Sequence, residues 1–328
     1  MVTGGAGYIG AHVVRLLGER GDEVVVVDDL VTGRAERVNG VPLIQLELAD
    51  GRVVEQVEQV LRQYRIEAVI HFAARKQVGE SVDRAAWYYQ QNVGSLANVL
   101  IAMQNAAVGR LVFSSSAAVY GAAHGAGDDR IGEASPTVPL SPYGETKLVG
   151  EWMVTDAARA SGLRAASLRY FNVAGAGWPE LGDSAVLNLV PMVFERLDAS
   201  AAPIIFGDDY NTPDGTCVRD YVHVMDLAEA HLAALDRLEA PGNQIFNVGT
   251  GTGSSVRQVI DAILAVSGAT AKPVIAPRRA GDPDSVVASV ERIRAQTGWS
   301  ARYGLEEIVA SAWSAHLRRK LPPHGAVS

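Results

Sequence analysis

Cysteine is almost missing from this chain. Cys217 is the sole example, so no internal disulfide can form, and the count suits a reducing compartment. No stretch approaches the run of about 20 apolar residues that a membrane span needs. The opening residues carry no basic segment ahead of an apolar one, so a cytoplasmic protein without a targeting segment is expected. Basic residues are outnumbered, 29 Lys and Arg against 37 Asp and Glu, and the net charge of −8 argues against a nucleic-acid partner, which wants a basic face. Internal repeats and low-complexity tracts are also missing. What remains is a globular chain of 328 residues, 48% hydrophobic and 20% charged, long enough for two domains.

What is there begins at Thr3-Gly4-Gly5-Ala6-Gly7-Tyr8-Ile9-Gly10. The glycines satisfy Gly5-x-Gly7-x-x-Gly10 and Gly4-x-x-Gly7-x-x-Gly10 together. A pyrophosphate needs backbone N–H groups at a helix N-terminus with no side chain in the way, and glycine supplies this. Ile9, Val13, Leu16 and Leu17 then recur at helical spacing, with Gly21 as the stop. An apolar run over 23–28 follows, short enough for a buried parallel strand and closed by Asp28. That carboxylate stands where the dinucleotide fingerprint places an acid on the adenosine ribose; its charge repels a 2′-phosphate, which favours NAD over NADP. Only Met1-Val2-Thr3 precede the glycines, against about 5–6 residues for an ordinary strand, so the true start is expected to lie upstream of Met1.

Apolar strands alternate with helical patterns through the first half. Strands are expected over 42–47, 68–73, 110–115 and 165–170, with helices over 53–64, 86–106 and 143–161. This rhythm implies right-handed βαβ units and a doubly wound parallel sheet, an α/β fold. Ligands in such sheets bind beyond the carboxyl ends of the strands. Asp28, His71 to Ala74, Ser114 to Ser116 and Tyr170 to Asn172 therefore converge on one edge. After Asn172 the pattern shortens and mixes. A cofactor domain over 1–173, with 220–266 packing back on it, and a smaller C-terminal α/β substrate domain over 174–219 and 267–328 are expected. Within 220–266 a helix over 224–237, a strand over 244–248 and a helix capped by Ser255 and Gln258 are expected. The final residues, with Pro322-Pro323-His324-Gly325, read as a frayed tail.

Ser141-Pro142-Tyr143-Gly144-Glu145-Thr146-Lys147 carries the chemistry. Proline suits a first helical turn, and Tyr143 and Lys147 then fall one turn apart on one face. A free phenol, with a pKa of about 10, is a poor base at neutral pH. A neighbouring ammonium and a positively charged nicotinamide favour phenolate and are expected to lower it. So tuned, Tyr143 can remove a hydroxyl proton while hydride leaves the same carbon. One of Ser114, Ser115 and Ser116 is placed to hydrogen-bond the reacting oxygen.

These segments resemble the UDP-galactose 4-epimerases of the extended short-chain dehydrogenase/reductase family, from about residue 2 to 313. The markers are the glycine turn, 114–121, 141–147, Leu168-Arg169-Tyr170-Phe171-Asn172, Asp214 to Val224 and Pro277 to Asp282. The resemblance implies Ser116, Tyr143 and Lys147 as catalytic residues and NAD as cofactor. It implies cofactor contacts from Gly4, Gly7, Tyr8, Ile9 and Gly10, from Asp28, Asp29, Leu30, Val31, Thr32 and Gly33, and from Glu47 and Leu48. Phe72, Ala73, Ala74, Arg75, Lys76, Gln91 and Phe171 complete the cofactor set, with Ser116, Tyr143 and Lys147 contributing as well. Around a UDP-sugar it implies Ser116, Tyr143, Asn172, Asn188, Leu189, Ile204, Ile205, Phe206, Arg219, Arg279 and Asp282; Arg278 could exchange roles with its neighbour. No metal is implied. A homodimer through 86–106 and 143–161 is expected.

The chain departs from the family pattern at Glu47, where aspartate is usual, and at Gln91, where asparagine is usual, although Asn92 is kept. Val286 replaces a bulkier residue of some relatives and leaves room for an acetamido group, which suggests activity on UDP-N-acetylhexosamines. UDP-pentoses are a further alternative. A nucleotide-sugar 4,6-dehydratase is disfavoured because Ala117 and Ala118 stand where such enzymes carry an acid pair. An NAD sensor without catalysis leaves the complete Ser116, Tyr143 and Lys147 set unexplained.

Overall fold

A computed structural model describes residues 1–122, 130–279 and 281–320. The expected tail at 322–325 and Ala280 of the 277–282 marker lie outside the described residues.

The glycine turn separates β1 (Val2–Thr3) from α1 (Tyr8–Arg20), which Gly21 ends in the left-handed conformation at φ 93°. Next come β2 (Val26–Asp28), β3 (Leu43–Gln45), α2 (Val54–Gln63) and β4 (Val69–His71). β3 and β4 are shorter than the apolar runs at both ends, and β2 is shorter at its start alone. The expected helix over 86–106 is interrupted. After α3 (Val78–Asp83), α4 (Ala85–Tyr89) gives way to a π-helical turn at Gln90–Gly94 before α5 (Ser95–Asn105). Tertiary hydrogen bonds of Asn92, described below, hold that turn.

The chain continues through β5 (Arg110–Ser114), α6 (Pro142–Ser161), β6 (Arg164–Tyr170), β7 (Asn172–Ala174), α7 (Leu189–Asp198) and β8 (Ile204–Phe206). The remainder is β9 (Val218–His223), α8 (Val224–Asp236), β10 (Gly242–Val248), β11 (Gly253–Ser255), α9 (Val256–Ser267), β12 (Val274–Ala276), β13 (Ser285–Val286), α10 (Glu291–Thr297) and α11 (Leu305–Lys320).

Seven strands form one parallel sheet in the order β10-β6-β5-β4-β1-β2-β3. The order reverses between β1 and β4, and the crevice at that switch point is where doubly wound sheets bind ligands. Two large apolar clusters cover its faces. One contains Val14, Ile70, Val112, Leu168, Leu227 and Phe246; the other contains Val27, Val57, Leu61, Val69, Leu111 and Val154.

A smaller cluster gathers Val190, Val193, Phe194, Ile205, Ile308 and Val309. It also takes Val259, Ile260 and Ile263 of α9, whose Ser255–Gln258 capping box forms as the sequence suggests. The apolar stripe of α9, within the stretch expected to pack back on the sheet, faces α7 and α11. Conversely, Ile293 of α10 and Trp299 pack with the sheet-side cluster.

Candidate active site

The glycine turn is shaped by close approach. Gly4 has φ +67°, and a Cβ there would stand 2.7 Å from the backbone nitrogen of Ala73. A Cβ on Gly10 would overlap the carbonyl oxygen of Gly4. Turn, helix and β4 segment thus close up around the N-terminus of α1, whose first turn has no side-chain cap and no acid. Bare N–H groups at a helix start suit a pyrophosphate, so the residues fit NAD. Asp28 stands 5% exposed and accepts from the Ala6 N–H at 3.0 Å and the Leu30 N–H at 2.8 Å. Burial nevertheless pushes its carboxyl pKa up.

Around this turn lies a cleft of about 1430 Å³. Of the cofactor residues implied by the resemblance, Gly4, Gly7, Tyr8, Ile9, Gly10, Asp28, Asp29, Val31, Thr32, Glu47 and Leu48 line it. So do Phe72, Ala73, Ala74, Arg75, Lys76, Gln91, Ser116, Tyr143, Lys147 and Phe171, and on the sugar side Asn172, Asn188, Arg219 and Asp282. Leu30, Gly33, Leu189, Ile204, Ile205, Phe206 and Arg279 do not. Gly33 serves Asp28 instead, since a Cβ there would stand 2.6 Å from Asp28 Oδ1. Ile205 is fully buried in the small core. Arg279 lies 4.0 Å from the Phe206 ring centre, whereas Arg278 pairs with Asp209 at 2.5 Å and covers Tyr210. Tyr170, expected on this edge though given no contact of its own, also lines the cleft, as do Trp87 and the 183–187 segment, which sequence reasoning missed. Neither Trp87 nor 183–187 carried a local signal in the sequence.

Helix α6 starts where the sequence marks it. Ser141 caps it by accepting from the Gly144 N–H at 3.2 Å, Pro142 occupies the first turn, and Gly162 ends it at φ 71°. Two glycines let it lie close to β5 and to the turn that follows it. A Cβ on Gly144 would stand 2.6 Å from the Ala118 carbonyl oxygen, and one on Gly150 would stand 2.6 Å from the Phe113 ring. This approach lets Lys147 Nζ donate to the Ser114 carbonyl at 2.8 Å.

The three serines divide their work. The Ser114 hydroxyl is 2.6 Å from Tyr170 Oη, and the Ser115 hydroxyl donates to Glu151 Oε1 at 2.5 Å. Ser116 alone lines the cleft, as Tyr143 does; its oxygen accepts from the Ala118 N–H at 3.1 Å.

The expectation of an acidified phenol is not met in the protein alone. Burial pushes the Tyr143 pKa well above the ordinary range, Tyr170 adds to the rise, and only the Ser116 hydrogen bond opposes it. Lys147 is buried too, and desolvation lowers its pKa to about 7. With a 5.9 Å separation between Lys147 Nζ and the Tyr143 ring centre, the amine does not outweigh burial.

The model of the NAD dependent epimerase/dehydratase family matches residues 1–249. The chain belongs to that family. A UDP-glucose 4-epimerase of Azospirillum brasilense is 43% identical over 335 residues, covering 99% of this chain and 94% of the relative. The solved UDP-glucose 4-epimerase of Brucella ovis in complex with NAD is 39% identical, with a TM-score of 0.90 over 96% of this chain and 97% of that one. A third member, the UDP-glucose 4-epimerase of Stenotrophomonas maltophila with bound NAD and formylated UDP-arabinopyranose, is 37% identical. Its TM-score is 0.89, covering 97% of this chain and 98% of that one.

Proposed function

We propose that the chain is an NAD-dependent UDP-glucose 4-epimerase, an isomerase that interconverts UDP-galactose and UDP-glucose through a transient 4-keto sugar. The observation that carries this reading is the meeting of Tyr143 and Ser116 with the glycine turn and Asp28 in one cleft of a family member that resembles such enzymes along nearly its whole length.

When bound, NAD supplies reversible hydride acceptance. In this reading Tyr143 Oη removes the proton of the sugar's 4-hydroxyl and later returns it. Ser116, on the same cleft wall, is placed to hydrogen-bond the reacting oxygen as the proton moves. Lys147, held by the Ser114 carbonyl, contributes positive charge when protonated. Arg219 is fixed by the Val218 and Pro283 carbonyls at 2.8 and 2.9 Å, with Asp282 3.6 Å from its other terminal nitrogen, and presents a positive fork on which a diphosphate would be held. The test is direct. Purified protein incubated with UDP-galactose should yield UDP-glucose, and Tyr143→Phe should abolish this while still binding NAD. Wild-type protein that holds NAD yet leaves UDP-galactose unchanged rejects the reading.

Val286 lines the sugar side of the cleft, and its small side chain supports turnover of UDP-N-acetylhexosamines as a second activity. No reaction with UDP-N-acetylgalactosamine where UDP-galactose reacts rejects this. Homodimerisation through α5 and α6 is part of the proposal, supported by exposed Ile101 and Trp152 on those helices. So are a cytoplasmic setting, for which the buried free thiol of Cys217 speaks, and a role in galactose metabolism. The division into a cofactor unit and a substrate unit is proposed with residues 256–266 assigned to the latter. No described helix is long and apolar enough to cross a membrane, and the described residues hold no cluster suited to a metal ion.

A further inference from the structure

Asp29 directly follows β2 and Arg75 follows β4; β1 lies between those strands, and its glycine turn opens between the two residues. The Arg75 guanidinium reaches across to Asp29 at 2.6 Å, with side-chain exposures of only 14% and 24%. Other groups hold this arginine in place. Gln91 Oε1 accepts from its Nε at 3.0 Å. Asn92 clamps its backbone on both sides, accepting from the Arg75 N–H at 2.7 Å and donating to the Arg75 carbonyl at 3.0 Å. The Trp87 ring centre lies 5.6 Å from the guanidinium carbon. Gln91 and Asn92 are neighbours in sequence, and both can serve Arg75 because they lie in the π turn, a distortion frequent at functional sites. Asn92 also donates to Thr146 Oγ1 at 3.0 Å, which ties this assembly to α6 one residue before Lys147.

Asp28 spends its oxygens on the Ala6 and Leu30 N–H groups, which leaves its neighbour Asp29 for the arginine. We propose that Arg75 and Asp29 form a clasp across the dinucleotide cleft that slows the release of NAD. The proposal rests on the NAD-dependent reading above and adds to it a determinant of cofactor retention. A partly desolvated pair joining the two walls, its arginine also held by Gln91, must open before a ligand between them leaves, and the loss of such a pair acts mainly on the dissociation rate.

The test measures NAD release from the purified holoprotein into an excess of an NAD-consuming trap enzyme. Wild type, Arg75→Leu, Asp29→Asn, the double variant and Arg75→Lys are compared, with circular dichroism to establish folding. Each single neutralisation should speed release by about tenfold or more. The double variant should be no faster than the singles, because both remove the same contact. Arg75→Lys, which keeps charge but loses the fork to Gln91, should fall between wild type and Arg75→Leu. Folded single variants with unchanged or slower release overturn the clasp, as do effects that add in the double variant. Wild-type protein that never binds NAD overturns the functional reading and the clasp together, whereas retained NAD with insensitive variants overturns the clasp alone.

Discussion

Lys147 Nζ is bonded to the Ser114 carbonyl at 2.8 Å and stands 5.9 Å from the centre of the Tyr143 ring. The strand, rather than the phenol, holds the amine. Charge that activates Tyr143 must therefore come partly from what binds in the cleft. In the NAD-free protein the near-ultraviolet phenolate band of Tyr143, taken as the difference from Tyr143→Phe, should stay silent through neutral pH. With NAD bound it should emerge at lower pH. Identical titrations with and without NAD contradict this.

Tyr143→Phe should lower kcat by about 10² to 10⁴, the usual range for a lost acid–base group. Retained NAD, read from the absorbance of the purified variant, separates this from loss of the cofactor site. Ser116→Ala should reduce kcat less, because Tyr143 remains.

Lys147 titrates near 7 in the folded chain and about 10.4 unfolded. Between these values the unfolded chain binds more protons, so this group makes stability rise with pH through that window. Urea midpoints of NAD-free protein at pH 7 and above should show the rise, and Lys147→Met should flatten it. An unchanged slope in the variant removes Lys147 as the cause.

Four buried histidines work at the acid end. Desolvation lowers His71 to about 3, and His12, His223 and His231 to about 4. Their neutral forms stabilise the fold fully above the unfolded value of about 6.5, and that contribution is lost as pH falls toward 4. Asp28, Asp220 and Asp226, raised by burial, act with the opposite sign. Urea midpoints should fall between pH 6.5 and 4.5, and His231→Asn should lessen the fall.

Glu151 and Arg169 form a bidentate pair at 2.8 and 2.6 Å with side chains 4% and 6% exposed. Glu151 lies one turn beyond Lys147 on α6, and Arg169 lies on β6. Glu151→Ala leaves a buried guanidinium uncompensated and should cost about 3–5 kcal/mol in urea unfolding. A loss below about 1 kcal/mol, the range of exposed pairs, contradicts burial of the pair.

The sequence was most legible where local chemistry decides the outcome. The Ser141 cap, Pro142 and Gly162 bracket α6 as written, and the period of the apolar runs gave the parallel sheet its strands. It was least legible where distant segments decide. The π turn exists because Asn92 meets Arg75 and Thr146, partners 17 and 54 residues away. The rise in the Tyr143 pKa comes from desolvation by the assembled cleft, which a pair of residues one turn apart does not reveal. The burial of Ile205 depends on residues of α7 and α9 that gather around it, which its own segment does not reveal.

The central claim is that the hydrogen removed from the sugar's C4 stays within the site and returns to the same carbon. UDP-galactose carrying deuterium at C4, converted by the purified holoprotein in ordinary water, should give UDP-glucose with the label retained at C4. Loss of that deuterium to solvent, or recovery of only the galacto configuration, would contradict the account.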